Sequence, residues 1–180
     1  MEKREKAKKK QNSTAIHKQK FDYEINDYVV YPSQGVGKIV DLETIKFGNQ
    51  KKLYYVIQFS NNGLKIKVQT DKVEESNIRP VINKNDVKKV LKILQEEEEE
   101  LEEDWKIRYQ NNLAKIKSGS IYEVAKVCRN LFKRAKNKEL SLMERRLYET
   151  AYSLLANEIS VAKQMNLEDA KNLVSELLSK

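Results

Sequence analysis

The pattern of apolar and polar residues changes from a two-residue period to a helical period near the middle of the chain. Between residues 21 and 80, apolar residues alternate with polar ones, as they do in half-buried β-strands. The strand candidates are residues 27–32, 36–47, 52–59 and 64–69, with turns rich in glycine and asparagine between them. These strands predict a small, strongly bent antiparallel β-barrel, whose strand edges a partner can extend.

Beyond Pro80 the chain contains no further proline, and its apolar residues recur at helical spacing. Val87, Val90, Leu91 and Leu94 share one face of a first predicted helix. Similar faces recur up to the C-terminus. The chain is therefore predicted to be α+β in two domains, with a barrel at residues 21–80 and an all-α domain of about five helices at residues 81–180.

Capping signals divide the helical half into its elements. A helix over residues 105–117 is predicted to be capped by Asp104 and ended by Gly119. Residues 120–123 and 141–144 both read Ser-x-x-Glu, the pattern of a capping box. They predict the starts of a third helix and of the longest helix. A last short helix carries the apolar residues between 173 and 178.

Composition and charge indicate the kind of partner. The 180 residues are 34% charged, with a formal net charge of +8 and a pI near 9.3. Such a balance favours a polyanionic partner such as nucleic acid. The single cysteine, Cys128, excludes an internal disulfide and fits a reducing compartment. Since no apolar run is long enough for a membrane span and no secretory signal is visible, we expect a cytoplasmic protein that does not enter membranes.

The first 20 residues are predicted to form a disordered basic arm. They are rich in lysine and contain too few apolar residues to offset the entropy cost of ordering. Such an arm can contact phosphates without sequence preference, or it can act only as a solubilising tail. Both interpretations remain open.

Trp105, the only tryptophan, lies where the sign of the charge reverses. An acidic run at residues 96–104 precedes it, and a strongly basic segment follows from Lys106 to Arg146. A large aromatic ring at the edge of a basic helical region is suited to wedging against a base step. Alternatively, Trp105 is a core residue, because it shares a helix face with Tyr109 and Leu113.

Candidate catalytic groups do not converge anywhere in the sequence. The single histidine, His17, lies in the arm, and Cys128 lies on an apolar helix face, where a buried inert thiol is expected. No phosphate-binding glycine loop is present, and the acidic run resembles a solvated linker more than a calcium loop. We therefore expect no enzymatic activity, no metal site and no cofactor.

The order of these motifs resembles that of the CarD-type bacterial transcription regulators. Residues 27–37 (DYVVYPSQGVG) are similar to the start of that family's barrel, which in turn resembles the polymerase-interacting module of transcription-repair coupling factor. The matching helical segments are residues 104–109 (DWKIRY), 117–119 (KSG), 123–127 (EVAKV), 129–134 (RNLFKR) and 140–146 (LSLMERR). The resemblance covers residues 21–180.

The resemblance implies a Tudor-like (SH3-like) module that binds the β subunit of RNA polymerase by adding to its sheet. It also implies a helical module at the upstream edge of the promoter bubble, where a tryptophan wedges into the minor groove. The DNA-binding residues implied or assigned on this basis are Trp105, Lys106, Arg108, Arg134, Arg145 and Arg146. The polymerase-binding positions are Lys67, where the family uses arginine, together with Lys65 and Ile45.

These expectations define a transcription regulator that stabilises the open promoter complex. Minor-groove and phosphate contacts carry little base code, so we expect the protein to act at many promoters without an operator sequence. We also expect it to be a monomer. One rival hypothesis is a small-barrel RNA- or ribosome-binding protein with a helical appendage, which would expose aromatics such as Tyr54 for stacking. Another is a purely structural adaptor whose helical half binds protein.

Overall fold

The computed structural model describes residues 22–48, 50–60, 63–97 and 104–180, with Phe47 described by its backbone alone. Within them a β-sheet is followed by a helical domain, which confirms the predicted α+β class. The strands are β1 (Tyr28–Tyr31), β2 (Gly35–Phe47), β3 (Gln50–Phe59), β4 (Lys65–Gln69) and β5 (Arg79–Pro80). The helices are α1 (Lys84–Gln95), α2 (Trp105–Lys117), α3 (Ile121–Asn137), α4 (Leu142–Lys163) and α5 (Leu167–Ser179).

The sheet is antiparallel, with the strand order β4-β3-β2-β1-β5. Its centre is the long β2–β3 hairpin, whose register shifts between Ile39 and Asp41. This irregularity increases the local twist of the strand pair. Gly37 lies tightly against the core, because a Cβ at this position would come within 2.9 Å of the Phe59 ring. The inner face buries the aromatic and branched residues of the predicted strands: Val29, Ile39, Tyr55, Ile57, Phe59 and Val68.

The prediction of a barrel is wrong in one respect, because the sheet does not close. β4 and β5 are its outer strands, and no pairing joins them among the described residues. After β4 the chain makes a short 3₁₀ turn at Thr70–Lys72 and returns as a segment that carries Val73 and Ile78. Both side chains are buried in the sheet's core. This segment therefore covers apolar surface that a closed barrel would bury with strand pairing.

The helical domain is built around α3, which packs against the other four helices. The predicted apolar faces are confirmed, since Val87, Val90 and Leu94 of α1 are buried in the core. The Cys128 thiol is also fully buried, and desolvation raises its pKa. A buried protonated thiol is a poor nucleophile.

The two predicted capping boxes have different outcomes. At the start of α4, Ser141 Oγ accepts from the Glu144 backbone N, and the Glu144 carboxylate accepts from the Ser141 N at 3.1 Å. At the start of α3, the Ser120 side chain makes no cap hydrogen bond, so the box predicted there is wrong. The Glu123 carboxylate instead accepts from Lys126 Nζ at 2.9 Å, one turn along the same helix.

Two sequence predictions fall outside the described residues. The basic arm at residues 1–20 is one of them, and the part of the acidic run at residues 98–103 is the other. Among the helices of the described ranges, none combines the length and the apolar content that crossing a membrane requires.

Candidate nucleic-acid and polymerase interface

The first turns of α2 and α4 are held together by a buried carboxylate. Arg108 Nε donates to Glu144 Oε1 at 2.8 Å, and Arg108 Nη2 lies at the same distance from that oxygen. The other carboxylate oxygen, Oε2, accepts from the Ser141 backbone N and hydroxyl at 3.1 and 2.9 Å. The Glu144 side chain thus caps its own helix and fixes the start of the neighbouring helix.

Glu144 is ionised in this setting despite its burial. Desolvation alone would raise the pKa of its carboxyl. Hydrogen bonds from Arg108 and from the Ser141 backbone and hydroxyl lower the pKa, however, and they outweigh desolvation, so the net pKa lies below the ordinary value of glutamate. The cluster is therefore a charged structural centre at physiological pH.

The predicted DNA-binding role of Arg108 does not fit this geometry. Only 4% of the residue is exposed, and its guanidinium is held by Glu144, so it presents no surface to a phosphate. Arg134 is partly buried beside the same carboxylate, with its Nε 3.5 Å from Glu144 Oε1, which is too long for a strong hydrogen bond. We correct the assignment of Arg108 to a structural role, which Arg134 shares in part.

Trp105 lies at the surface, at the first residue of α2. Its exposed fraction is 53%, whereas Tyr109 and Leu113 pack against the core. The interpretation of Trp105 as a core residue is therefore wrong. Asp104 caps the helix as predicted, because its carboxylate accepts from the backbone N of Lys106 at 2.7 Å. The Lys106 ammonium lies 5.9 Å from the centroid of the tryptophan ring. The ring is thus presented from a well-anchored helix start.

The start of α4 adds both apolar and basic groups to this surface. Arg145 and Arg146 are exposed, as the DNA-binding prediction requires, and so are Leu142 at 66% and Met143 at 40%. Sequence reasoning missed the two apolar residues. The signal was available for Leu142, because Glu144, Leu147 and Ala151 share the buried face and position 142 lies opposite to it. Met143 lies one turn before Leu147 and is exposed because it belongs to the first turn of the helix. We call the exposed residues at these two helix starts the α2–α4 surface: Trp105, Lys106, Ile107, Leu142, Met143, Arg145 and Arg146.

The second candidate surface is the outer edge of β4. Within the described residues β4 pairs only with β3, and Lys65 and Lys67 both point away from the core. Lys67 forms a partly exposed ion pair with Glu43 of β2. Ile45 is half-buried farther along β2, opposite Lys52. The β4 edge therefore offers unpaired backbone groups flanked by two cations.

The exposure of the aromatic residues in the sheet tests part of the rival RNA-binding hypothesis. Tyr54, its candidate stacking residue, is half-buried. Tyr28 on β1 is exposed, with the Lys38 ammonium 5.9 Å from its ring centroid. Tyr28 is the one exposed ring among the described side chains of the sheet, which is a narrower stacking platform than the two or three rings that RNA-binding sheets usually carry.

Comparisons with known proteins agree with this two-part architecture. Residues 23–82 match the family model described as "CarD-like/TRCF RID domain", and residues 89–175 match "CarD, C-terminal domain". The chain belongs to the CarD family and is a transcription regulator, and the first match implies an interaction with RNA polymerase. It is similar to the Bacillus subtilis (strain 168) protein named "Putative transcription factor YdeB", with 36% identity over 150 residues that cover 83% of this chain and 98% of that protein.

Glu144→Gln should destabilise the helical domain. The substitution removes one charge of a buried ion pair and leaves Arg108 buried, so the free energy of unfolding should fall by roughly 3 kcal/mol or more. Urea denaturation at neutral pH measures the change. Glu149→Gln, an exposed position on the same helix, is the matched control and should stay within about 0.5 kcal/mol of the wild type.

The same variant should alter the acid dependence of stability. A lowered folded-state pKa gives stabilisation that is fully present above the ordinary glutamate pKa of about 4.3 and is lost as the pH falls through the folded-state value. Between about pH 5 and pH 3 the wild type should therefore lose more stability than Glu144→Gln. Parallel pH curves for the two proteins would contradict the ionised cluster.

Proposed function

We propose that the protein bridges RNA polymerase and promoter DNA, and that it stabilises the open promoter complex. In this proposal the β4 edge extends a sheet in the β subunit of the polymerase. The α2–α4 surface holds the upstream edge of the promoter bubble, with Trp105 as a wedge in the minor groove. The observation that carries the proposal is the half-exposed Trp105 ring at the start of α2, which the Arg108–Glu144 pair joins to the start of α4 with its exposed Arg145 and Arg146.

The proposed wedge needs an aromatic ring that is exposed to solvent and a helix that is held rigidly. A large aromatic ring left in water is available to bury apolar surface against an unstacked base step, which costs a few kcal/mol to open. The Asp104 cap and the Arg108–Glu144 pair hold the helix that carries the ring. A rigid wedge that fits only unstacked DNA binds the open complex better than the closed one, and that difference is what shifts the equilibrium.

The basic part of the same surface supplies contacts that do not depend on sequence. Lys106, Arg145 and Arg146 are exposed cations at the same two helix starts as the exposed apolar residues Trp105 and Met143. Cations of this kind neutralise phosphates and fix the register of a protein on the duplex without reading bases. We therefore propose action at many promoters, determined by where polymerase opens the DNA.

On the polymerase side, the proposal rests on the open edge of the sheet. An outer strand with unpaired backbone groups is a template for β-augmentation, in which main-chain hydrogen bonds supply affinity. Lys65 and Lys67 are exposed on that strand, and Lys67 shares its charge with Glu43 in an ion pair. Lysine at position 67 supplies a point charge without the bidentate fork of an arginine, so the charge contact is less directional.

A second candidate function is RNA or ribosome binding by the sheet, which the exposed Tyr28 beside Lys38 favours. A stacking contact of this kind would use β1 and leave the β4 edge unoccupied. Affinity capture from a lysate separates the two functions, because co-purification of polymerase supports the first and co-purification of ribosomes supports the second.

Trp105→Ala should retain the fold and lose most of the effect on the promoter. Because the ring lies outside the core, the thermal melt should stay close to that of the wild type. The half-life of open complexes in the presence of the protein should fall by about tenfold, which corresponds to roughly 1 to 2 kcal/mol. Leu167→Ala is a matched control, since Leu167 is an exposed apolar residue at the first position of α5. An open-complex lifetime unchanged by Trp105→Ala would exclude the wedge.

The double substitution Arg145→Ala and Arg146→Ala should weaken binding to every DNA sequence by a similar factor. For each phosphate that the variant no longer neutralises, the slope of log affinity against log salt should become shallower by about 0.9. Titrations of several unrelated duplexes at different salt concentrations measure both quantities. Lys163→Ala, at the opposite end of α4, should leave the slope unchanged. A weakening confined to particular sequences would mean that the arginines read bases.

Lys67→Glu should weaken binding to the polymerase β subunit by reversing a charge at the β4 edge. The variant also places a second carboxylate beside Glu43. The loss should appear mainly in the association rate and should shrink at high salt, since rim charges act chiefly by steering. Lys72→Glu, an exposed lysine outside β4, provides the control. Equal association rates for Lys67→Glu and the wild type would remove Lys67 from the interface.

A further inference from the structure

A largely buried ion pair joins the sheet to the helical domain. Arg79 of β5 donates from Nη1 to Glu158 Oε1 and from Nη2 to Glu158 Oε2, the latter at 2.8 Å. Glu158 lies on α4 and is only 2% exposed. Its Oε1 also accepts from the backbone N of Ile82 at 3.2 Å, at the start of the segment that leads into α1. One carboxylate therefore holds the last strand and the connection between the domains.

The same arginine also contacts the far end of α2. Arg79 Nε donates to the Gly119 carbonyl at 2.9 Å, in the loop that follows α2. Gly119 lies close to Pro32 of the β1–β2 turn, because a Cβ there would be 3.3 Å from the proline ring. The guanidinium thus joins the sheet to α4 and to the C-terminal end of α2, whose first residue is Trp105.

Apolar packing next to this ion pair is equally close. Gly35, at the start of β2, approaches α4 so closely that a Cβ would lie 2.8 Å from Leu154 Cδ2. Leu154 precedes Glu158 by one helical turn. The connection between the domains is also short, since β5 ends at Pro80 and α1 begins at Lys84. Little freedom remains for one domain to rotate against the other.

The geometry points to Arg79 and Glu158 as a positioning pair that locks the two domains in one orientation. The lock fixes the distance between the β4 edge and the α2–α4 surface. Burial makes this pair specific, because a displaced domain would leave the Glu158 carboxylate desolvated without its partner. A bidentate arginine fork also tolerates little change in angle.

For the function proposed above, on which this consequence rests, a fixed distance couples the two binding events. Once the β4 edge is bound to polymerase, a rigid protein presents Trp105 to the bubble edge at a high effective concentration. If the orientation of the two domains varied, Trp105 would occupy many positions relative to the bubble edge, and its effective concentration there would be lower. Arg79 and Glu158 contact neither partner in this arrangement, and they act by holding the surfaces that do.

The lock itself is tested on the full-length protein by a distance measurement. Spin labels on cysteines introduced at Lys51 and Asn172, both exposed or half-exposed, report the distance between the domains. Cys128 is buried and does not compete for labelling. The wild type should give a single narrow distance distribution by pulsed electron resonance. Glu158→Gln and Arg79→Lys, which lose the paired charge and the fork respectively, should each broaden it.

Matched controls separate the lock from general stability. Glu168→Gln breaks an exposed ion pair with Lys171 inside α5 and should leave the distribution narrow. Glu144→Gln disturbs a buried ion pair within the helical domain alone and should leave the distance between the domains unchanged. A distribution as narrow in both Glu158→Gln and Arg79→Lys as in the wild type, in proteins with wild-type circular dichroism, would overturn the lock.

A functional measurement then tests the coupling. Glu158→Gln should bind the isolated polymerase β subunit and free DNA as the wild type does, but its affinity for the polymerase–promoter complex should fall by about tenfold or more. Equal losses in all three assays would indicate a merely structural role and overturn the coupling. If the wild type itself has no effect on open complexes, the proposed function fails, while the distance measurement still decides the lock.

Discussion

Two buried carboxylates on a single helix join both the start of α2 and the last strand of the sheet to α4. Glu144 holds the start of α2 through Arg108, and Glu158 holds the sheet through Arg79. They are fourteen residues apart on α4, which is about four helical turns or 21 Å, so both project from nearly the same side of the helix. α4 therefore sets the distance between the start of α2, which carries Trp105, and the strand that precedes the helical domain. In the inferred arrangement, the Arg79–Glu158 pair fixes the two domains relative to each other and the Arg108–Glu144 pair fixes α2 within the helical domain.

Buried ion pairs suit this task better than apolar contacts would. An ion pair taken out of water contributes little net stability, because desolvation offsets most of the attraction, but a misplaced partner costs several kcal/mol. Apolar contacts slide with smaller penalties, since dispersion and burial have no directional preference. Here each carboxylate accepts hydrogen bonds from an arginine and from backbone or hydroxyl donors. Only one arrangement of the neighbouring elements satisfies all of these bonds. The helical core supplies stability, and the two pairs specify orientation.

Local signals in the sequence predicted most elements of the fold but not these contacts. The Ser141 capping box, the Asp104 cap and the apolar faces of the helices depend on residues within a few positions of one another, so they are visible in the chain. The Arg108–Glu144 contact joins residues 36 positions apart, and only the folded structure brings them together. The failure at Ser120 has a different, local origin, because Lys126 donates to the Glu123 carboxylate and the Ser120 backbone N donates to Ser118 Oγ instead. β5 has only two residues, too few for an alternating pattern, so the fifth strand of the sheet was not predicted.

The folded structure also changes what the net charge of +8 means for DNA binding. Sequence counting treats every arginine as surface charge, but Arg79, Arg108 and Arg129 are wholly or partly buried against carboxylates of the chain itself. On the α2–α4 surface the exposed cations are Lys106, Arg145 and Arg146. Three phosphate contacts give a salt slope of only about −3, far below that of proteins that hold DNA by themselves. In the proposed function, such a surface depends on a second attachment, and binding of the β4 edge to polymerase would provide it, because tethering raises the local concentration without any further contact to DNA.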